Sequence, residues 1–184
     1  MHLDFYLIDS GDDEWARLLQ EAKSTITFPE LMAGTRITDS KQFNSGLSMR
    51  VTDAPAEESS EYMKMIQFIG NVDGYKPRIV FFDYDSTRNT RTVVGNPFAG
   101  LGGRSPDIDA IQPVRVACSC EHYKILYSSP NKAADVHWGH LPNSKLDPRD
   151  YGYNKNPNPD EVPGACEHLI GLYRYLVASS RVAE

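Results

Sequence analysis

Alternating apolar and polar positions predict several β-strands along this chain of 184 residues. Five segments either alternate strictly or are rich in β-branched and aromatic residues, as is typical of strands. They are residues 2–8, 47–51, 77–85, 90–94 and 113–119. A sixth segment, residues 61–69, fits either a strand or a short helix, and residues 81–94 have the pattern of a β-hairpin. These features predict a mainly antiparallel sheet.

Apolar residues at helical spacing predict one early helix and one helix near the C-terminus. The early helix spans about residues 12–25, with Ser10 as a candidate N-cap and acidic residues in its first turn. The late helix begins near Ala165. Its apolar residues recur at i, i+3, i+4 and i+7, and they are Leu169, Leu172, Tyr173 and Leu176. Two tracts dense in Gly, Pro, Asn and Asp precede this helix and predict long loops.

Acidic residues outnumber basic ones by 25 to 19, and the formal net charge is −6. Duplex-binding surfaces carry a basic stripe that neutralises phosphates, and no run of Lys or Arg supplies one here. The first residues lack the basic and apolar regions of a signal peptide, and no stretch approaches the roughly 18 apolar residues of a membrane span. We therefore expect neither nucleic acid nor a membrane as partner, and a chain that folds in a cytosol, where thiols stay reduced.

The three cysteines and one histidine form two short motifs, Cys118-x-Cys120 and Cys166-x-His168. Side chains at i and i+2 of an extended strand share a face, so Cys118 and Cys120 can bind one ion together. The irregular backbone at a helix entrance lets Cys166 and His168 converge, whereas regular helical geometry would point them about 200° apart. Four such ligands complete a tetrahedral, structural zinc site. The alternative is three buried thiols that pack as small apolar groups, beside an ordinary surface histidine.

The predicted zinc site has a negative charge that its surroundings must balance. Three thiolates and a neutral imidazole leave a net charge of about −1 on the Zn²⁺ complex. The N-terminus of the last helix carries a partial positive charge, and Arg115 is a second candidate to offset the thiolates.

This ligand pattern resembles the SWIM zinc finger, in which a strand carries C-x-C and a helix carries C-x-H within a ββα unit. The resemblance covers Val114 to about Leu176 and implies a second strand over residues 121–127. Forty-five residues separate Cys120 from Cys166, which is more than that family usually holds there. SWIM domains are linked to DNA or protein interaction, and protein interaction suits this acidic chain better.

Two sequence segments show a second, narrower family resemblance. They are VACSC, followed by an aromatic segment, and YGYNKNPNPDEVPGACEHLIGLYRYL over residues 151–176. Both are similar to a family of tailed-bacteriophage virion proteins, which usually carries Lys at the position of Glu167. The resemblance implies a multi-copy structural component of the virion, in the head–tail connector and neck or in the tail and baseplate, whose partners are other virion proteins. The alternative function is a cellular SWIM-type zinc-finger interaction module.

The insert between the two ligand pairs, residues 128–162, carries Trp138, Tyr151 and Tyr153 among Pro and Asn residues. Rigid aromatic anchors of this kind are enriched at protein interfaces. The alternative is that these rings fold back onto the sheet of the same chain.

His137 and His140 are close in sequence to Asp135 in this insert, a pattern that suggests enzymatic function. Such a group can hold a second metal ion or supply a general base. No zinc-protease, serine-hydrolase, P-loop or dinucleotide-binding motif accompanies it. We therefore predict that the protein is not an enzyme.

The sequence as a whole predicts an α+β protein with a single domain over residues 1–184. Residues 1–112 form a mainly β portion with one early helix. Residues 113–180 form a zinc-stapled ββα element that contains the long insert 128–162.

Overall fold

The computed structural model describes residues 25–54, 56–59, 65–82, 108–139 and 158–183. Several sequence predictions lie outside these residues: the strands over residues 2–8 and 90–94, the hairpin beyond residue 82, and nearly all of the helix over residues 12–25. His140, Tyr151 and Tyr153 lie outside them as well.

Within the described residues, helices and short strands follow one another in a mixed order. The elements are α1 (Phe28–Thr38), α2 (Ser40–Ser48), β1 (Val51–Asp53), β2 (Ala56–Ser59), β3 (Met65–Ile69), β4 (Asn71–Val72), β5 (Arg78–Phe82), β6 (Ile108–Asp109), β7 (Val114–Ala117), α3 (Glu121–Leu126), α4 (Ser128–Ala133), α5 (Glu167–Ala178) and β8 (Val182–Ala183). Strands β2, β3, β5 and β7 form an antiparallel sheet in that order. The α+β class is therefore confirmed.

The strongest sequence patterns are confirmed as elements. Strands β5 and β7 lie inside the predicted segments 77–85 and 113–119, and the ambiguous segment 61–69 ends in strand β3. Helix α5 begins at Glu167, two residues after the predicted start at Ala165. The strand predicted over residues 47–51 is wrong in its first part, because Asp39 caps α2 through a hydrogen bond from the Gln42 N–H and the helix continues to Ser48.

The strand predicted over residues 121–127 is wrong, because this segment forms helix α3. The Sγ of Cys120 accepts a hydrogen bond from the Tyr123 N–H and so caps the helix. Tyr123, Leu126 and Tyr127 are buried at i, i+3 and i+4, which is a helical rather than an alternating pattern. Among the described residues between the two ligand pairs, helices follow β7, and the second strand of a ββα unit is not found directly after Cys120.

Cross-strand rows of apolar side chains build one face of the main sheet. Phe68 pairs with Ile79, which in turn pairs with Val116, and a parallel row joins Ile66, Phe81 and Val114. All six side chains are almost completely buried. Helix α5 contributes the other large set of core residues, which are Leu169, Ile170, Leu172, Tyr173 and Leu176. The Tyr173 ring stacks on Phe28 of α1, with ring centroids 4.4 Å apart.

Two glycines allow helices α2 and α5 to cross at short range. A Cβ atom on Gly46 would lie 2.6 Å from the Cβ of Ile170, and one on Gly171 would lie 2.6 Å from the Cβ of Met49. Neither contact involves the movable end of a side chain, so any larger residue would force the helices apart. This crossing fixes the position of α5, which carries half of the site described below.

We expect Gly46→Ala to lower the free energy of unfolding by about 1–3 kcal/mol, because overpacking at the crossing outweighs the higher helix propensity of alanine. Asn44→Ala, at an exposed position of the same helix, is the matched control and should leave that free energy unchanged within about 0.5 kcal/mol. Urea unfolding followed by circular dichroism measures both changes. A Gly46→Ala protein as stable as the wild type would contradict the close crossing.

Candidate metal centre

The structure brings together the four residues that the sequence predicted as metal ligands. The candidate ligand atoms of Cys118, Cys120, Cys166 and His168 all lie within 4.8 Å of one another. The four side chains are buried, with 4%, 2%, 0% and 4% of their surface exposed in that order. All three cysteines are free thiols. The cluster is therefore a compact Cys₃His site sealed from solvent.

Residues 118–120, the C-x-C arm of the cluster, lie between strand β7 and helix α3. Strand β7 ends at Ala117, so the expectation that both cysteines belong to a strand is wrong. Cys120 is nevertheless extended, with φ −70° and ψ 152°, and it directly precedes α3. Ser119, between the two cysteines, accepts a hydrogen bond of 3.0 Å from the Lys76 N–H. This bond ties the arm to the turn that precedes β5 while the two thiols converge.

The C-x-H arm lies at the entrance of helix α5, as the sequence predicted. Cys166 is the N-cap residue with extended backbone angles, φ −72° and ψ 168°, and His168 is the second residue of the helix. The ring of Tyr75 covers the His168 ring, with centroids 4.4 Å apart. The Nδ1 atom of His168 is buried and has no hydrogen-bond partner among the described residues. A buried imidazole nitrogen in this state is suited to a metal ion.

The thiols of the cluster cannot all ionise without a cation. Burial raises the pKa of Cys118 and of Cys166 well above the ordinary value, and the neighbouring Cys120 adds to the rise in both. Hydrogen bonds from those same two thiols lower the pKa of Cys120. Without a cation, full ionisation of the three thiols is unfavourable, because it would place several negative charges in one buried site. A bound metal ion removes that restriction by replacing the thiol protons.

The pKa of His168 also depends on burial and on the neighbouring charges. Burial by itself lowers its pKa, but the hydrogen bond and the charge of Cys120, with the Glu167 carboxylate, produce a net rise. The Oε1 of Glu167 lies 3.9 Å from the Nε2 of His168.

The predicted role of Arg115 in offsetting the thiolates is not supported, because its guanidinium pairs with Asp135 at 2.6 Å and lies over the Phe82 ring. The N-terminus of α5 lies at Cys166, and the Tyr123 N–H at the start of α3 donates to the Sγ of Cys120, so partial positive charges lie at two of the thiols.

The donor set, the burial and the electrostatics together fit a metal cation. Three sulfur atoms and one imidazole form a ligand set that suits a tetrahedral site. The four donors come from both arms of the motif, so an ion bound there links the end of β7 to the start of α5. Sequence reasoning missed Tyr75 and Tyr123 as neighbours of the ligands, since no local pattern marks either residue.

His137 is a separate buried histidine and not a member of the cluster. Its Nδ1 lies 2.9 Å from the hydroxyl of Tyr123, and the two rings stack. The Tyr123 hydroxyl donates its single proton to the Val116 carbonyl at 2.8 Å, so His137 must donate from Nδ1. Burial, together with the charges of Lys132 and Arg115, lowers the pKa of His137 to about 4. His137 is therefore neutral at pH 7, with its proton on Nδ1.

The first part of the insert folds back onto the sheet. The Val116 N–H donates to the Val136 carbonyl at 2.8 Å, and the Trp138 N–H donates to the Val116 carbonyl at 2.9 Å. The Trp138 ring packs near Phe82, with centroids 6.4 Å apart. The aromatic residues of the insert were expected either to form an interface or to pack on their own chain. The Trp138 ring packs on its own chain.

No protein-family model, no curated protein and no solved structure matches this chain. Among the helices of the described residues, none has the length and apolar character needed to cross a membrane.

We expect His137 to titrate near pH 4 and to keep its proton on Nδ1 above that pH. The unfolded chain takes up this proton near 6.5 and the folded chain only near 4, so the free energy of unfolding decreases as the pH falls between these values. Long-range ¹H–¹⁵N correlation spectra report both the pKa and the tautomer. A pKa near 6.5 would contradict the burial of His137, and a proton on Nε2 would show that the Tyr123 hydroxyl donates to Nδ1.

Proposed function

We propose that the protein is an architectural component whose fold is stapled by a structural zinc ion on Cys118, Cys120, Cys166 and His168. The observation that carries this proposal is the convergence of four buried donors within 4.8 Å. Four protein ligands complete a tetrahedral sphere and leave no position for water or substrate. The metal therefore has a structural task.

Zinc is the metal that this donor set suits best. Thiolates are soft ligands that select against magnesium and calcium, which prefer oxygen. Three thiolates and a neutral imidazole give the zinc complex a charge of about −1, which the N-terminus of the 12-residue helix α5 offsets. A closed Cys₃His sphere is a form that structural zinc takes.

The proposed setting is the virion of a tailed bacteriophage, with the protein folded in the host cytoplasm and assembled with other virion proteins. Two things support it: the similarity of residues 116–120 and 151–176 to a family of virion proteins, and a metal site without catalytic access. A cellular SWIM-type module is the alternative. It fits less well, because a helix rather than a second strand follows Cys120.

Purified protein is expected to contain one zinc ion per chain, measured by elemental analysis. His168→Asn removes one of four ligands and should lower zinc affinity at least about 100-fold, beyond the usual effect of changes outside the ligand sphere. His122→Asn is the matched control, since His122 pairs with Asp39 at 3.5 Å and is not one of the four ligands. Well under one zinc per chain, with three freely titratable thiols, would contradict the proposal.

Cys166→Ser tests the architectural role. A serine hydroxyl does not ionise like a thiol, so zinc binding should be lost while most of the main sheet persists, because its cross-strand rows do not involve the ligands. We expect retained β-sheet signal in circular dichroism and failure of the variant to enter particles. The assay is complementation of a phage that lacks this gene, followed by particle purification and electron microscopy.

Two results would overturn the architectural reading. The first is complete, infectious particles with Cys166→Ser, and the second is absence of the wild-type protein from purified virions. Submicromolar binding to duplex DNA at physiological salt would instead favour the SWIM-type module, since the net charge of −6 disfavours such binding.

A further inference from the structure

The backbone just before Cys166 is held by a buried asparagine from another helix. The Nδ2 of Asn131, in α4, donates to the Gly164 carbonyl at 2.8 Å, and its Oδ1 accepts from the Gly164 N–H at 2.9 Å. Asn131 is fully buried. Its side chain thus bonds both polar groups of Gly164, as a neighbouring strand would.

A buried threonine holds the next residue in the same way. The Thr35 hydroxyl, in α1, accepts from the Ala165 N–H at 2.7 Å. Its oxygen lies 2.9 Å from the Ala165 carbonyl and 3.1 Å from the Leu31 carbonyl of its own helix, and these two acceptors share its single proton. Thr35 is also fully buried. The two side chains together bond the N–H and C=O groups of both residues that precede the ligand Cys166.

The packing around this segment leaves no room for a side chain at residue 164. A Cβ atom on Gly164 would lie 2.6 Å from the Cε1 of Tyr127 and 2.8 Å from the Thr35 hydroxyl. Asn131 also bonds the Tyr123 hydroxyl at 3.3 Å, and the Tyr123 N–H donates to the Sγ of Cys120. Protein hydrogen bonds therefore run from one ligand arm to the other, parallel to the link that a metal ion makes.

We propose that Thr35 and Asn131 are positioning residues of the metal centre, which hold Cys166 and the first turn of α5 in ligating geometry before metal binds. This inference rests on the proposed zinc site and adds that the site is preorganised. Metal binding to a segment that is already ordered avoids the loss of chain entropy that binding to a loose segment entails. Without these bonds, that loss would appear as weaker metal affinity.

The test compares three threonine variants of the full chain. Thr35→Val removes the hydroxyl with little change in shape and should weaken zinc affinity about 10- to 100-fold, as is typical for groups that support metal ligands. Thr35→Ser keeps a hydroxyl and should bind like the wild type. Thr38→Val is the matched control, because the Thr38 hydroxyl in the same helix bonds the Gly34 carbonyl and not residues 164–165.

Zinc affinity is measured by competition with a chromophoric chelator, and Co²⁺ absorption reports whether the ligand field is tetrahedral with sulfur donors. If wild type and Thr35→Val bind zinc equally, positioning is refuted and the zinc site stands. If the wild type binds no zinc, both proposals fail. Hydrogen exchange on metal-free wild type needs no variant: the Gly164 and Ala165 amides should be protected, and exchange at random-coil rates would overturn the inference.

Discussion

The confinement of three thiols and one imidazole within 4.8 Å, in a place that water does not reach, is the constraint on which the rest of the site depends. Buried thiolates repel one another, and burial opposes each charge, so two of the three thiols stay protonated until a cation replaces their protons. A metal ion that binds to the four donors would replace these protons. Once bound, it links two parts of the chain that are 45 residues apart.

The surrounding fold brings the two arms to this point from different elements. Cys118 and Cys120 follow a strand of the main sheet, whereas Cys166 and His168 begin the helix that crosses α2 at Gly46 and Gly171. The sheet and the helix pair are therefore joined both by core packing and by the ligand cluster. A metal ion held by all four donors would add a further link between these two parts of the fold.

The ligands could be predicted from the sequence because two short motifs contain all three cysteines and one histidine, although the strand expected to align Cys118 and Cys120 ends at Ala117. The strand predicted over residues 121–127 failed because a cysteine cap and buried residues at i, i+3 and i+4 outweighed aromatic content. Helix α1 was missed although Thr27, Pro29 and Glu30 form a readable N-terminal signal. The bonds of Thr35 and Asn131 could not be predicted, since their partners lie 130 and 33 residues away.

X-ray absorption at the zinc K-edge of the purified protein tests the central claim most directly. The account predicts three sulfur neighbours near about 2.3 Å and one nitrogen near about 2.0–2.1 Å, with no oxygen from water. A zinc ion surrounded mainly by oxygen and nitrogen, or one that keeps a water ligand beside fewer than three sulfurs, would contradict a closed structural site built from these four residues.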